Sequence, residues 1–238
     1  MKKKRVQTVI STCLMVLALA AVSSAAQVEV TVTNQTGGIY FTPLLVAGHD
    51  SSTHLFAVGD TASSSLRIMA ECGDVSSLVS DLSSSGADTV VNPAMGLLGP
   101  GVSATAAIDT DMSGNTHLSL VAMMLPTNDG FVGLDALEIP AAAGTYTYYL
   151  FGYDAGTEAN DELISGEMCG SGVEGIPADP TMLAGTDGTG VAGTDSNTSV
   201  HIHRGTLGDT DPSGGASDLD STAHRWLNPV ARVVVSVQ

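Results

Sequence analysis

The chain has 238 residues, room for one large β domain or two small ones. It carries 25 acidic residues against 8 Lys and Arg, a formal net charge of −17, and four of the basic residues are Lys2, Lys3, Lys4 and Arg5. That balance excludes a nucleic-acid partner, which needs a basic surface, and attraction to anionic lipid; it suits solubility outside the cell and the binding of divalent cations.

Behind the basic start, Val9 to Val22 is apolar apart from Ser11 and Thr12, and Ser24-Ala25-Ala26 follows. This is the layout of a secretory signal peptide over residues 1–26, too short in its apolar part for a transmembrane helix. Cys13 lies inside the apolar run rather than at its end, which argues against a lipid-anchored cysteine. Export is therefore expected, to the periplasm or the extracellular space, with no membrane insertion after the signal is removed. Residues 27–238 show no composition break and no internal repeat, and read as a single domain. Cys72 and Cys169 remain in it. An even count in an exported chain permits one disulfide, closing a loop of roughly a hundred residues and contributing about 4 kcal/mol; two separate buried thiols are the alternative.

Residues 27–34 alternate apolar and polar, a half-buried strand, and Gly37-Gly38 makes a turn. Residues 41–48 read as a second strand, with Pro43 near its start. Residues 61–85 form the helical region: Leu66, Met69 and Ala70 recur at helical spacing, and Asp74 can cap a second short helix carrying Val75, Leu78, Val79 and Leu82. A turn-rich bridge spans 96–101. Residues 102–108 form a strand, and 109–115 a polar segment best read as a hairpin turn. Strands follow at 117–125, which is strongly apolar, at 131–139 and at 145–153. Residues 156–197 are a long Gly/Asp/Thr-rich loop, too long to be mere connection. A strand over 199–204, a second loop over 205–222, and a β-branched closing strand over 230–237, expected to be central, complete the chain. About eight strands separated by turn signals predict an all-β fold, an antiparallel β-sandwich with the two short helices at one end.

The densest chemistry lies between Leu125 and Glu162. Two acidic turns, Asn128-Asp129-Gly130 to Asp135 and Asp154-Ala155-Gly156-Thr157-Glu158 to Glu162, flank the most aromatic stretch of an aromatic-poor chain. No Lys or Arg occurs between Arg67 and Arg204 to neutralise them. Carboxylates so placed repel unless protonated or bridged. Calcium, which takes six to eight oxygen ligands, would bridge them; a solvated acidic loop is the alternative.

His201 and His203, two apart on a strand, share a face and with an acid could hold zinc or copper, although a polar strand face explains them as well. Trp226 reads as a packing anchor. No nucleophile motif or phosphate-cradling glycine loop is present. A metal-dependent hydrolase would need Asp135 or His203 as its base, and nothing singles either out. A polysaccharide-binding module would use Tyr146, Tyr148 and Tyr153, taken as one set of contacts, although sheet-face packing accounts for them more simply.

Three segments resemble the spondin N-type domain, the adhesive domain of F-spondin and mindin that also occurs in secreted bacterial proteins. They are Asn128-Asp129-Gly130-Phe131-Val132-Gly133-Leu134-Asp135, then Tyr153-Asp154-Ala155-Gly156-Thr157-Glu158, then Asn228-Pro229-Val230-Ala231-Arg232-Val233. Val30 to Asn34 and Phe41-Thr42-Pro43-Leu44 fit the bacterial branch, so that the resemblance covers nearly all of residues 27–238. The resemblance implies a C2-like β-sandwich whose loops bind a divalent cation, usually calcium, through Asp129, Asp154 and Glu158, with Asp135 and Asp161 outside the motif. It also implies adhesion to a cell-surface or matrix partner. This chain departs from the family pattern at Asn128, where the family has Pro, at Gly130, where it has Trp, and at Glu158, where it has Asp. The cysteines of the animal proteins are absent.

Overall fold

The computed structural model describes residues 27–110, 114–166, 174–194 and 197–238. The strands in chain order are β1 (Gln27–Asn34), β2 (Tyr40–Phe41), β3 (Leu45–His49), β4 (Asp88–Val91), β5 (Ser103–Asp109), β6 (His117–Leu125), β7 (Gly130–Glu138), β8 (Gly144–Asp154), β9 (His201–Ile202) and β10 (Ala231–Val237). Two helices, α1 (Ser64–Cys72) and α2 (Ser76–Ser84), lie between β3 and β4. The signal-peptide expectation falls on residues outside those described.

All named pairings are antiparallel, and they join the strands in one sheet of order β4-β3-β6-β7-β8-β10-β1-β5, with β2 on β6 and β9 on β8. The sheet curls until its two ends meet, where the Asp109 N–H donates to Asp88 Oδ2 at 2.7 Å. The all-β expectation holds, as a nearly closed barrel or sandwich. One core fills its interior: Val28, Val30 and Val32 of β1 and Val233 and Val235 of β10 meet Leu118, Leu120, Ala122 and Met124 of β6. A second core lies on the outer face of β3, β6 and β7, beneath Leu66, Met69 and Ala70 of α1 and Leu78 and Leu82 of α2. The helices thus cover a face of the sheet rather than one end. Because β6 is buried on both faces, it reads as a continuous apolar run instead of alternating.

Ser63 caps α1 by accepting the Leu66 N–H, and Gly73, at φ 68°, closes it. Asp74 accepts the Ser76 N–H at 2.8 Å, so it bonds the first turn of α2 although Val75 occupies the cap position. The segment expected as a single strand over 41–48 is broken. The Thr42 hydroxyl accepts the Met123 N–H at 3.0 Å in place of a carbonyl, and Pro43 has no N–H to donate. Strands β5 and β6, on either side of 109–115, do not pair with each other as the expected hairpin would require: β5 pairs with β1, and β6 with β2, β3 and β7; residues 111–113 lie outside those described. Strand β4 carries no clear alternation and was not expected. The closing strand is central, between β8 and β1.

The expected tyrosine set divides. Tyr146 and Tyr148 pack against the first core, whereas Tyr153 lies on the opposite face against Phe56 and Phe131, because odd and even positions of β8 face opposite ways. Trp226 packs in the first core as an anchor.

The long acidic loops carry few apolar contacts, and buried or tethered carboxylates hold them. Glu162 accepts the Leu207 and Gly208 N–H groups and the Ser217 hydroxyl. Asp218 accepts the N–H groups of Ile164 and Gly188, and Asp179 those of Thr181, Leu183 and Ala184. Much of the negative charge thus satisfies backbone donors that no strand partner reaches.

Candidate metal centre

Strands β6 and β8 both run antiparallel to β7 and so end at the same edge of the sheet. Asp129 sits in the turn after β6, Asp154 at the end of β8, and Gly130 is the ladder partner of Asp154. The Thr127 hydroxyl shapes the turn by donating to the Met124 carbonyl at 2.6 Å and accepting the Gly130 N–H at 3.0 Å. Asn128 fixes the turn against the second loop: its Oδ1 accepts the Glu162 N–H at 3.2 Å and its amide donates to Asp161 at 2.9 Å. The departure from the family pattern at Asn128 therefore has a structural role. At Gly130 a Cβ would stand 2.6 Å from the Thr127 hydroxyl and 3.2 Å from the His203 ring, which leaves no room for a larger residue.

Asp129 is wholly buried. Its Oδ2 accepts the Thr157 N–H at 2.7 Å, the Thr157 hydroxyl at 3.2 Å and the Glu158 N–H at 3.1 Å. Its Oδ1 is buried with no hydrogen-bond partner. Burial, and then the charge of Asp154, push its carboxyl up to about 7, against which the Thr157 and Glu158 donors work. Asp154, also buried, accepts the Gly156 N–H at 2.8 Å and the Asn160 amide at 2.6 Å, with His201 Nε2 3.6 Å away. Glu158 is 7% exposed and accepts the Gly175 N–H at 3.3 Å. Burial first and the charge of Glu71 second push it up to about 8, with Asp129 and Glu174 adding to the effect.

Gly156 makes the second turn possible. Its φ is 69°, and a Cβ there would lie 2.7 Å from the Ser199 nitrogen and 2.8 Å from the Thr198 carbonyl carbon.

These residues suit a hard cation in donor type, since the set is all oxygen, and in the partnerless buried oxygen of Asp129. Among the described residues, no group of three or more His, Cys, Asp and Glu is arranged to hold a metal as it stands. Glu158 points to Gly175, and ligation would require it to turn.

The two acids outside the motif have other work. Asp161 accepts from Asn128 and from the Leu163 N–H, and Asp135 accepts from His54 and from the Leu55 and Phe56 N–H groups. His201 and His203 both line a hollow of about 290 Å³ beside Asp154. Nδ1 of His201 lies 2.8 Å from the Ser199 carbonyl, and Nδ1 of His203 accepts the Gly205 N–H. The glutamate at 162 was not expected among the buried acids; its position two residues past Asn160, in a loop without basic residues, was the only hint. Cys72 is disulfide-bonded, and Cys169 lies outside the described residues.

The family described as Spondin_N matches residues 31–169 of the 238. The match takes in both acidic turns and ends before the second long loop and β10, so the resemblance of Asn228 to Val233 lies beyond it. No curated protein matches the chain.

Proposed function

The chain belongs to the Spondin_N family, and from that footing we propose that it is a secreted calcium-binding module for adhesion to a cell-surface or matrix partner. The observation that carries the cation is Asp129 Oδ1, a buried carboxylate oxygen without a partner, beside a second buried carboxylate at Asp154. Asp129, Asp154 and, after a side-chain rotation, Glu158 would hold the ion, with backbone carbonyls and water completing its shell. A bound divalent cation would neutralise the carboxylates and join the β6–β7 turn to the loop after β8. The surrounding donors already hold those two segments together: Thr157 and Glu158 bond Asp129, and the Ala155 N–H donates to the Asp129 carbonyl at 3.2 Å. In this reading the loops around the ion form the adhesive surface, held in one conformation.

Export rests on the basic start and apolar run of residues 1–26. Among the described residues no helix is long and apolar enough to cross a membrane. Metal analysis of the purified protein, followed by retention on intact cells and on matrix with and without chelator, tests the reading. Stoichiometric calcium and chelator-sensitive retention support it. Calcium-free protein that calcium does not stabilise contradicts the metal site, and retention indifferent to chelator contradicts its role in adhesion.

A further inference from the structure

A second concave site, sharing no residue with Asp129, Asp154 and Glu158, lies on the outer face of the sheet. It is an open hollow of about 460 Å³. The alternation that sends Leu150 and Gly152 inward turns Tyr149, Phe151 and Tyr153 outward. Tyr149 is 56% exposed and Phe151 43% exposed, in a chain with only 4% aromatic residues. Across the ladder from Phe151 stands Gly133. A Cβ there would lie 2.7 Å from the Phe56 ring, so this glycine is what admits Phe56 against the sheet. Phe56 meets Phe131 edge-on at 5.1 Å and Tyr153 at 4.9 Å. It is held there from the same strand as Gly133: Asp135 of β7 accepts the Leu55 N–H at 2.6 Å, the Phe56 N–H at 3.4 Å and His54 Nδ1 at 2.7 Å.

We propose that this trough binds a neutral polysaccharide, with Tyr149 and Phe151 as stacking platforms and the His54–Asp135 pair as its hydroxyl-bonding end. Three observations select that ligand. The two exposed aromatic residues stand two apart on one strand face, their Cα atoms about 7 Å apart, and so offer two neighbouring flat apolar surfaces to the apolar faces of sugar rings. The His54–Asp135 pair gives the apolar trough a polar end: with Nδ1 donating to Asp135, Nε2 of the half-exposed His54 ring is left to accept from a hydroxyl, and Asp135 Oδ2 keeps a further lone pair. Charge decides the rest. A protein of net charge −17 repels sulfated, uronate and phosphate polymers. A cationic ligand finds Asp135 already answered by three donors, and Arg232 opposite Tyr149 in the ladder.

The test uses the mature chain in excess EDTA, which separates this site from the calcium reading. Soluble neutral glucan, mannan, xylan and galactan are run in affinity electrophoresis, with titration calorimetry on any that retard the protein. At least one should bind, Tyr149→Ala and Phe151→Ala should each weaken it about tenfold, and the melting temperature should hold because both rings are exposed. His54→Ala should weaken it further without disturbing the stack. Failure of all four polysaccharides to bind overturns the proposal. So does binding that survives the Tyr149→Ala/Phe151→Ala double substitution. Binding of polylysine that the double substitution abolishes, with no polysaccharide bound, would assign the trough to cationic peptides and equally overturn it.

Discussion

Asp154 stands opposite Gly130 in the β7–β8 ladder, and its charge falls on Asp129, the residue before Gly130. The fold thus brings together two buried acids that lie 25 positions apart in sequence, and leaves one oxygen of Asp129 without a donor. Without a cation the protein answers that burial, and the repulsion added to it, with protons.

The first prediction follows from those protons. Asp129 and Glu158 hold protons in the folded state at pH values where the unfolded chain, with ordinary carboxyl groups, has lost them. Their folded values are raised, so the stability they contribute is complete below the unfolded range near pH 4. It is lost as pH rises towards the folded values of about 7 and about 8. In EDTA, stability should therefore fall between pH 5 and pH 8, by up to about 1.4 kcal/mol per pH unit for each group that keeps its proton. Thermal melts across that range check it; a melting temperature that is flat or rises with pH contradicts it.

Gly156→Ala should destabilise the protein whether or not calcium is present. The substitution puts a methyl group against the backbone of residues 197–199 and forces an alanine to φ 69°. A loss of about 1–3 kcal/mol is expected. Urea unfolding of the variant measures it, and a change below about 0.5 kcal/mol, the range of a neutral surface substitution, would mean the turn relaxes freely.

The bond made by Cys72 ties the end of α1, and so the helical cover of β6, to another part of the chain. Peptide mapping without reduction should recover Cys72 joined to Cys169, and Cys72→Ser should cost about 2–5 kcal/mol. Recovery of Cys169 as a free, alkylatable thiol would rule that pairing out.

Export should leave a mature N-terminus at or near Gln27, the first residue of β1, whose strand partners are β5 and β10. N-terminal sequencing of extracellular or periplasmic protein decides it. Secreted material that retains Met1 would contradict cleavage.

Much of this was legible in the sequence because the period of the pattern matched the burial. Strand β1 alternates over all eight residues since one face meets the core, and α1 and α2 show their apolar positions because each buries one stripe. The acidic corner was legible as well: turn residues and the family motif marked Asp129, Asp154 and Glu158, and the common edge of β6 and β8 brings their turns together. What stayed hidden depends on partners distant in the chain. The break between β2 and β3 arises because the Thr42 hydroxyl replaces a ladder carbonyl. Strand β4 is half-buried along most of its length and carries no alternation. The fate of the charge at Glu162, Asp179 and Asp218 is the clearest case. Sequence shows acidity, but only the loop geometry shows these carboxylates accepting backbone N–H groups rather than awaiting a cation. The outward turn of Tyr149 and Phe151 followed from parity alone, yet the trough required Phe56, brought in from a loop some eighty residues earlier by Asp135.

The calcium site itself is tested most directly by titrating calcium into wild type and Asp129→Asn at pH 8 while following the melting temperature. Asparagine keeps an acceptor for the Thr157 and Glu158 donors and removes the buried charge, so the metal-free variant should be as stable as wild type or more so. For the wild type, affinity in the range of extracellular sites, roughly 0.1–1 mM, is expected. Calcium at a hundred times the dissociation constant should then add about 2.7 kcal/mol. The account predicts a concentration-dependent rise in wild type and none in Asp129→Asn. No rise in wild type, or an equal rise in both proteins, would contradict it.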